Sequence, residues 1–247
     1  MEWMLREGER LDDLVRDGMH IIQRPDQFCF SVDSVLLAHF VSVKKHDRFA
    51  ELGTGTGAIA LLLAAFGAGH VTAIGKNPIL ADLAERNVRG NGKADAVSVL
   101  CADYTGLREE MLPGGFTAVV VNPPYRPVGA GRLRKGNDIA AATHEMTASL
   151  SDVFDAAAYL LQDGGRLFMV HRADRLADLI EEGRKRRFEP KRLRFVYGHA
   201  GEEAKRVLAE WRRGGATGVK ILPPLVLHKA DGSYTDELLA IYGKETT

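Results

Sequence analysis

From Arg48 onward, short apolar runs take turns with helical stretches, and this alternation constrains the fold more than any other feature of the chain. Arg48 to Leu52 is an apolar run that ends in glycines, and a helical pattern follows from Ala58 to Phe66. His70 to Ile74 reads as a strand, and Pro78 to Asn91 as a helix with proline in its first turn. Ala96 to Cys101 is the next strand. Phe116 to Val121 (FTAVVV) is β-branched without alternation, as a strand buried on both faces requires. The order continues with a helix from Met146 to Leu161, a strand from Gly165 to His171, a helix from Arg175 to Arg187 and a strand from Leu193 to Tyr197. Strands separated by helices of about 10 to 15 residues predict a mostly parallel sheet covered on both faces, an α/β fold.

The two ends are read separately. The first 45 residues hold a short helical pattern and then a helix capped by Asp33 or Ser34, which predicts a helical extension over 1–45 packed on a main domain over 46–247. Phe28 and Phe30 fit core or staple positions better than stacking platforms. At the other end, Glu202 to Arg212 reads as a helix. Val219 to Leu227 and Glu237 to Tyr242 read as strands around the turn sequence ADGSY, an antiparallel hairpin at one edge of the sheet.

Composition narrows the classes. The chain has 247 residues, 45% of them apolar, enough for one large core. Its two cysteines, Cys29 and Cys101, stand far apart and without partners at metal-ligand spacing, which argues against a disulfide framework and a zinc site. The opening MEWMLREGERLDDLV is charged rather than a basic stub before an apolar run, unlike a signal peptide. The longest apolar stretch, Ala58 to Gly69, is about half a bilayer span. A soluble cytoplasmic protein is the expectation. Acidic and basic residues balance at 33 each, but eleven basic residues and only four acids lie between Gly183 and Arg213. That run is either a surface that steers a polyanion or an ordinary solvated face.

The segment FAELGTGTGA, Phe49 to Ala58, follows a strand and opens a helix. Gly53, Gly55 and Gly57 let the backbone turn sharply and approach a ligand, and the helix start offers free N–H groups. Glu51, two positions before the first glycine, suits a cationic ligand such as an amino group better than a pyrophosphate. The longer pyrophosphate fingerprint fails because position 58 is alanine. The end of the second strand of such sheets usually carries an acid for ribose hydroxyls. Here it reads Ile74-Gly75-Lys76-Asn77, so Lys76 and Asn77 are what remains to compensate. Asp103, after the third strand, either accepts from an adenine amine, with Ala102 or Tyr104 against the ring, or caps the following turn.

Asn122-Pro123-Pro124-Tyr125 directly follows the buried strand and is the most specific feature. An exocyclic amine on a base is a poor nucleophile because its lone pair is delocalised into the ring. The Asn122 side-chain oxygen and the Pro123 carbonyl suit the two amine hydrogens, and the prolines pre-place both acceptors. Tyr125 offers a face on which a base can stack. The loop that follows, Arg126 to Met146, carries Arg126, Arg132, Arg134, Lys135 and Gly136, positions suited to phosphates. His144 and Glu145 lead into the next helix and either touch substrate or serve as caps.

These residues resemble a known family. ELGTGTG from Glu51 with Asn122-Pro123-Pro124-Tyr125 is similar to the class I Rossmann-like amino-methyltransferases. The wider pattern resembles the bacterial tRNA1(Val) adenine-N6 methyltransferases: FCFSVDSVLLA from Phe28, Thr143-His144-Glu145-Met146, Pro223-Pro224-Leu225 and DGSYTDE from Asp231. The resemblance covers nearly the whole chain. It implies S-adenosyl-L-methionine as cofactor, tRNA as partner, no metal, and N6-methylation of the adenine next to the anticodon. It assigns the cofactor's methionine end to Glu51, Gly53, Thr54, Gly55 and Gly57. Asp103 takes the adenine side, beside Tyr104; the ribose acid falls on Gly75, so that role has no carrier unless Lys76 and Asn77 compensate; and Asn122 touches both cofactor and target. Pro123, Pro124 and Tyr125 complete the catalytic loop. Arg126, Arg132, Arg134, Lys135 and His144 join Tyr125 as substrate contacts. Other substrates of the same chemistry stay open: DNA adenine, ribosomal RNA guanine or a release-factor glutamine. So does a non-catalytic RNA-binding role, for which Gly75 is the main support.

Overall fold

The computed structural model describes residues 3–123 and 148–244. Two short strands come first, β1 (Arg10–Asp13) and β2 (His20–Gln23), paired antiparallel, and then helix α1 (Val32–Phe40). The alternating series follows: β3 (Arg48–Leu52), α2 (Ala58–Ala65), β4 (His70–Gly75), α3 (Pro78–Gly90), β5 (Val97–Cys101) and β6 (Phe116–Val121). Beyond residue 147 come α4 (Leu150–Leu160), β7 (Leu161–Arg172), α5 (Leu176–Lys185), β8 (Phe188–His199) and β9 (Ala204–Arg213). The described chain closes with β10 (Lys220–Ile221), β11 (Leu225–His228) and α6 (Asp236–Ile241).

Among the described residues nine strands form one sheet, in the order β10-β8-β9-β7-β6-β3-β4-β5, with β11 also pairing β8. The β7-β6-β3-β4-β5 half is parallel throughout, so its carboxyl ends share one rim. β3 and β6, at its centre, are buried on both faces, which is why FTAVVV shows no alternation. One core lies under α1, α2, α3 and α6, around Leu37, Phe49, Leu61, Val88 and Leu238. A second lies under α4 and α5, around Phe154, Leu179, Phe188 and Trp211. The result is a Rossmann-like sheet with helices on both faces.

An antiparallel hairpin does extend one side of the sheet, but β8 and β9 build it. The expected helix over Glu202 to Arg212 is therefore strand β9. Its Ala, Leu, Glu, Lys and Arg content favours helix, and pairing with β7 and β8 overrides that weak preference while burying Val207, Leu208 and Trp211. The expected strand over Glu237 to Tyr242 is helix α6, started by Thr235, whose hydroxyl accepts from the Leu238 N–H at 3.3 Å, with Asp236 and Glu237 in the first turn. Val219 to Leu227 is split into β10 and β11, parallel to β8, around Pro223-Pro224.

The N-terminal helical pattern is likewise corrected to the β1–β2 hairpin. Buried Asn87 on α3 clips that hairpin to the site: its Oδ1 accepts from the Ile22 N–H at 2.6 Å, and its Nδ2 donates to the Ile22 and Thr56 carbonyls at 3.1 and 2.9 Å. Helix α1 starts earlier than expected, after Ser31, so neither Asp33 nor Ser34 is its cap. Asp33 instead accepts from Arg206 of β9 at 2.9 Å, which ties the start of α1 to the rim.

The basic run resolves into two ends of the molecule. Arg184, Lys185, Arg186 and Arg192 pair with Glu189, with Glu181 and Glu182, with Asp155 and Glu182, and with Glu210. They stand, with Arg212 and Arg213, near the start of β8 and the end of β9, away from the carboxyl-end rim of β6. Lys205 and Arg206 are the members at that rim. No helix among the described residues is long and apolar enough to cross a membrane.

Candidate active site

The loop between β3 and α2 holds the backbone shape its glycines permit. Gly53, Gly55 and Gly57 have φ of 74°, 56° and 87°, in the left-handed region. The Gly53 and Thr54 N–H groups donate to the Ile74 carbonyl at 2.8 and 2.9 Å, so the loop is fastened to the end of β4. Gly57 also permits close packing: a Cβ there would lie 3.3 Å from Ala84 Cβ on α3.

Beneath this loop Glu51 is 2% exposed. Its Oε2 accepts from the Thr54 hydroxyl at 2.8 Å and the Ala60 N–H at 3.0 Å. Burial nonetheless dominates and pushes the carboxyl up to about 8. The Thr54 hydroxyl is thereby committed to Glu51. The pocket above is walled by Phe28, Phe30, Gly53, Gly55 and Asn122, with Glu51 at its floor. A buried acid poised near neutrality, under glycine backbone, fits the amino group of a methionine moiety.

At the other wall, Asn122 leaves the end of β6, and Pro123 after it is buried. Its Nδ2 donates to the Ser34 hydroxyl of α1 at 3.2 Å, a contact that helps fix the orientation of the amide. At the ends of β4 and β5, Asp103 accepts from the Thr105 N–H and hydroxyl at 3.0 and 2.9 Å, and Lys76 Nζ lies 3.8 Å from its Oδ2. Burial opposes its ionisation, but the Thr105 bonds and Lys76 together hold the carboxyl below its ordinary range. The turn-capping role considered for Asp103 is thus realised in part. Tyr104 packs its ring within 4.0 Å of a Cβ built at Gly53, and burial, then Asp103, raises its phenol. Asn77 caps α3, with Oδ1 accepting from Ile79 and Leu80 N–H at 2.9 and 3.3 Å, so it is a structural cap.

Glu51, Gly53, Thr54, Gly55 and Asn122 thus come together around one pocket, with Gly57 at the base of the loop and Lys76, Asn77, Asp103 and Tyr104 along the neighbouring strand ends. Pro124, Tyr125, Arg126, Arg132, Arg134, Lys135, Gly136, His144 and Glu145 lie outside the described residues. Phe28 departs from its expected core role: it is 46% exposed and lines the pocket, whereas Phe30 both lines it and packs on the core. Ser34 was legible only as a capping candidate, because its contact spans 88 residues. His171 was read only as a strand residue. The β6–β7 register places it beside the Asn122 loop, and burial lowers its imidazole to about 4, so it stays neutral there. No group of His, Cys, Asp and Glu able to hold a metal occurs among the described residues.

A glycine loop over a buried acid and an Asn-Pro wall on this sheet define a class I S-adenosylmethionine-dependent methyltransferase. Residues 19–182 match the methyltransferase small domain family. The tRNA1(Val) (adenine(37)-N6)-methyltransferase of Porphyromonas gingivalis is 32% identical over 197 residues, 77% of this chain and 76% of that protein. Its counterpart from Haemophilus influenzae is 25% identical over 90% of this chain and 93% of its own length. Among solved structures, a predicted O-methyltransferase from Agrobacterium tumefaciens is 26% identical with a TM-score of 0.67, covering 86% of this chain and 98% of that one. The tRNA (m1A58) methyltransferase of Aquifex aeolicus shares the fold at 16% identity and a TM-score of 0.55, covering 83% of this chain and 76% of its own. The chain belongs to the bacterial tRNA1(Val) (adenine-N6)-methyltransferase family.

Proposed function

We propose that this protein transfers a methyl group from S-adenosylmethionine to the N6 amine of an adenine in tRNA, the adenine next to the anticodon of a valine tRNA. The observation that carries the reading is the pairing of Asn122 with Ser34 in the wall of the pocket floored by Glu51. Bound S-adenosylmethionine supplies an electrophilic methyl on a sulfonium, which leaves as a neutral thioether. Glu51 holds the amino group at the methionine end. Asn122 Oδ1 and the Pro123 carbonyl accept the two amine hydrogens and draw the nitrogen toward the pyramidal shape in which its lone pair is available. Both acceptors sit at the end of a buried strand, so little reorganisation accompanies attack. As the N–C bond forms the methyl–sulfur bond breaks, the amine nitrogen carries positive charge, and one of its two hydrogens passes as a proton to solvent water. The curated relatives support tRNA as the substrate.

The test is methyl transfer to an unmodified tRNA1(Val) transcript, compared with the same transcript carrying guanine in place of the adenine 3′ of the anticodon. The expected product is N6-methyladenosine from the first and none from the second. Equal labelling of both, or label on another nucleoside, overturns the assignment.

A further inference from the structure

The adenosine end of the site lacks the group such a sheet normally places there. The strand beside the glycine-loop strand usually ends on an acid that accepts from ribose hydroxyls. Here that strand, β4, ends on Gly75, and a Cβ at this position would meet Thr54 Cγ2 at 3.3 Å. The polar side chains around the gap differ in what they have left to offer. Asn77 has its Oδ1 committed to the start of α3, and its Nδ2 donates to Gln27 Oε1 at 3.3 Å. Asp103 has Oδ1 committed to Thr105. Lys76 has an ammonium with three N–H donors, and among the described residues it pairs with Asp103 at 3.8 Å. Its side chain is 37% exposed, and it follows Gly75 at the end of β4, the strand to which the glycine loop is fastened.

We propose that Lys76, steered by Asp103, binds the ribose of the adenosine-bearing cofactor by donating to its hydroxyl oxygens, the reverse polarity of a strand-end carboxylate. A hydroxyl both donates and accepts, so either polarity makes a charge-assisted hydrogen bond. Asp103 keeps the long lysine chain over the ends of β4 and β5, which lowers the cost of ordering it on binding. The missing acid then marks an exchanged contact. The inference rests on the methyltransferase reading above, and it makes Gly75 no evidence for a lost cofactor site.

A chemical double-mutant cycle tests it without any turnover. Binding of S-adenosylhomocysteine and of its 2′,3′-dideoxy analogue to the full-length protein is measured by calorimetry, for the wild type, Lys76→Met and Lys76→Arg. The wild type is expected to lose about tenfold in affinity when the ribose hydroxyls are removed, and Lys76→Met about tenfold for the parent ligand. Lys76→Arg keeps a donor and retains most of the affinity. Lys76→Met binds the two ligands equally, because the contact is already gone. Independent, multiplying losses, or a Lys76→Met protein that binds the parent ligand as tightly as the wild type, overturns the assignment to Lys76 and leaves the methyltransferase reading intact. A wild-type protein that binds neither ligand overturns the cofactor reading and this inference with it.

Discussion

Glu51→Gln keeps the side-chain volume and removes the ionisable oxygen under the glycine loop, and the structure sets the size of the effect. Burial pushes the Glu51 carboxyl up to about 8, from 4.5 when exposed. At pH 7 about nine-tenths of the unliganded protein therefore holds it protonated. An ammonium group seated beside it favours the carboxylate, so binding of S-adenosylhomocysteine at pH 7 releases about 0.9 proton per site. Calorimetric titrations in two buffers with different ionisation heats read this directly, and affinity rises toward tenfold per unit between about pH 6 and 8. Glu51→Gln abolishes the proton release and weakens binding by about 10- to 100-fold. The same group leaves a mark on stability. Its folded pKa is raised, so its contribution is complete below about 4.5 and is lost as pH rises through about 8. The unliganded wild type accordingly loses about 3 kcal/mol between pH 4.5 and 7 that the glutamine variant does not lose. A binding enthalpy independent of buffer, or a Glu51→Gln protein with the wild-type pH profile, refutes the reasoning.

Two further substitutions separate positioning from packing. Ser34→Ala removes an acceptor that helps fix the Asn122 amide, and kcat is expected to fall about tenfold with little change in the Kd for S-adenosylhomocysteine. A loss confined to cofactor binding contradicts that role. Gly57→Ala places a Cβ on backbone at φ 87° and 3.3 Å from Ala84 Cβ, and is expected to cost about 1–3 kcal/mol, read as a lowered Tm. An unchanged Tm shows that the loop relaxes without cost.

The half of the chain built on local signals was legible from sequence. β3 and β6 coincide with the runs RFAEL and FTAVVV, and α3 starts at the proline that marks it. Asn122 and the glycine loop declare themselves because their chemistry lies in consecutive residues. What was not legible depends on distant partners. AKRVLAEWRR is a strand because β7 and β8 supply its ladder and its charges find distant partners, Glu210 with Arg192 on β8 and Arg206 with Asp33 on α1. DELLAI is the local exception: Thr235, directly before it, caps it as a helix, a signal that the adjacent hairpin-like ADGSY obscured. Phe28 looks like core by residue type, yet its place at the pocket mouth follows from how the β1–β2 hairpin is clipped by Asn87. The basic run shows how charge counted along a sequence can fall on the wrong end of a sheet.

In the proposed reaction Asn122 activates a target amine in the pocket that Glu51 floors. The most direct measurement incubates wild type and Asn122→Ala with methyl-labelled S-adenosylmethionine and tRNA lacking such modifications, then identifies the labelled nucleoside by mass. The expected result is N6-methyladenosine from the wild type and at least about a 100-fold lower rate from Asn122→Ala, with S-adenosylhomocysteine still bound by the variant. Comparable rates from both proteins, or no label from a wild type that binds the cofactor and the tRNA, would contradict it.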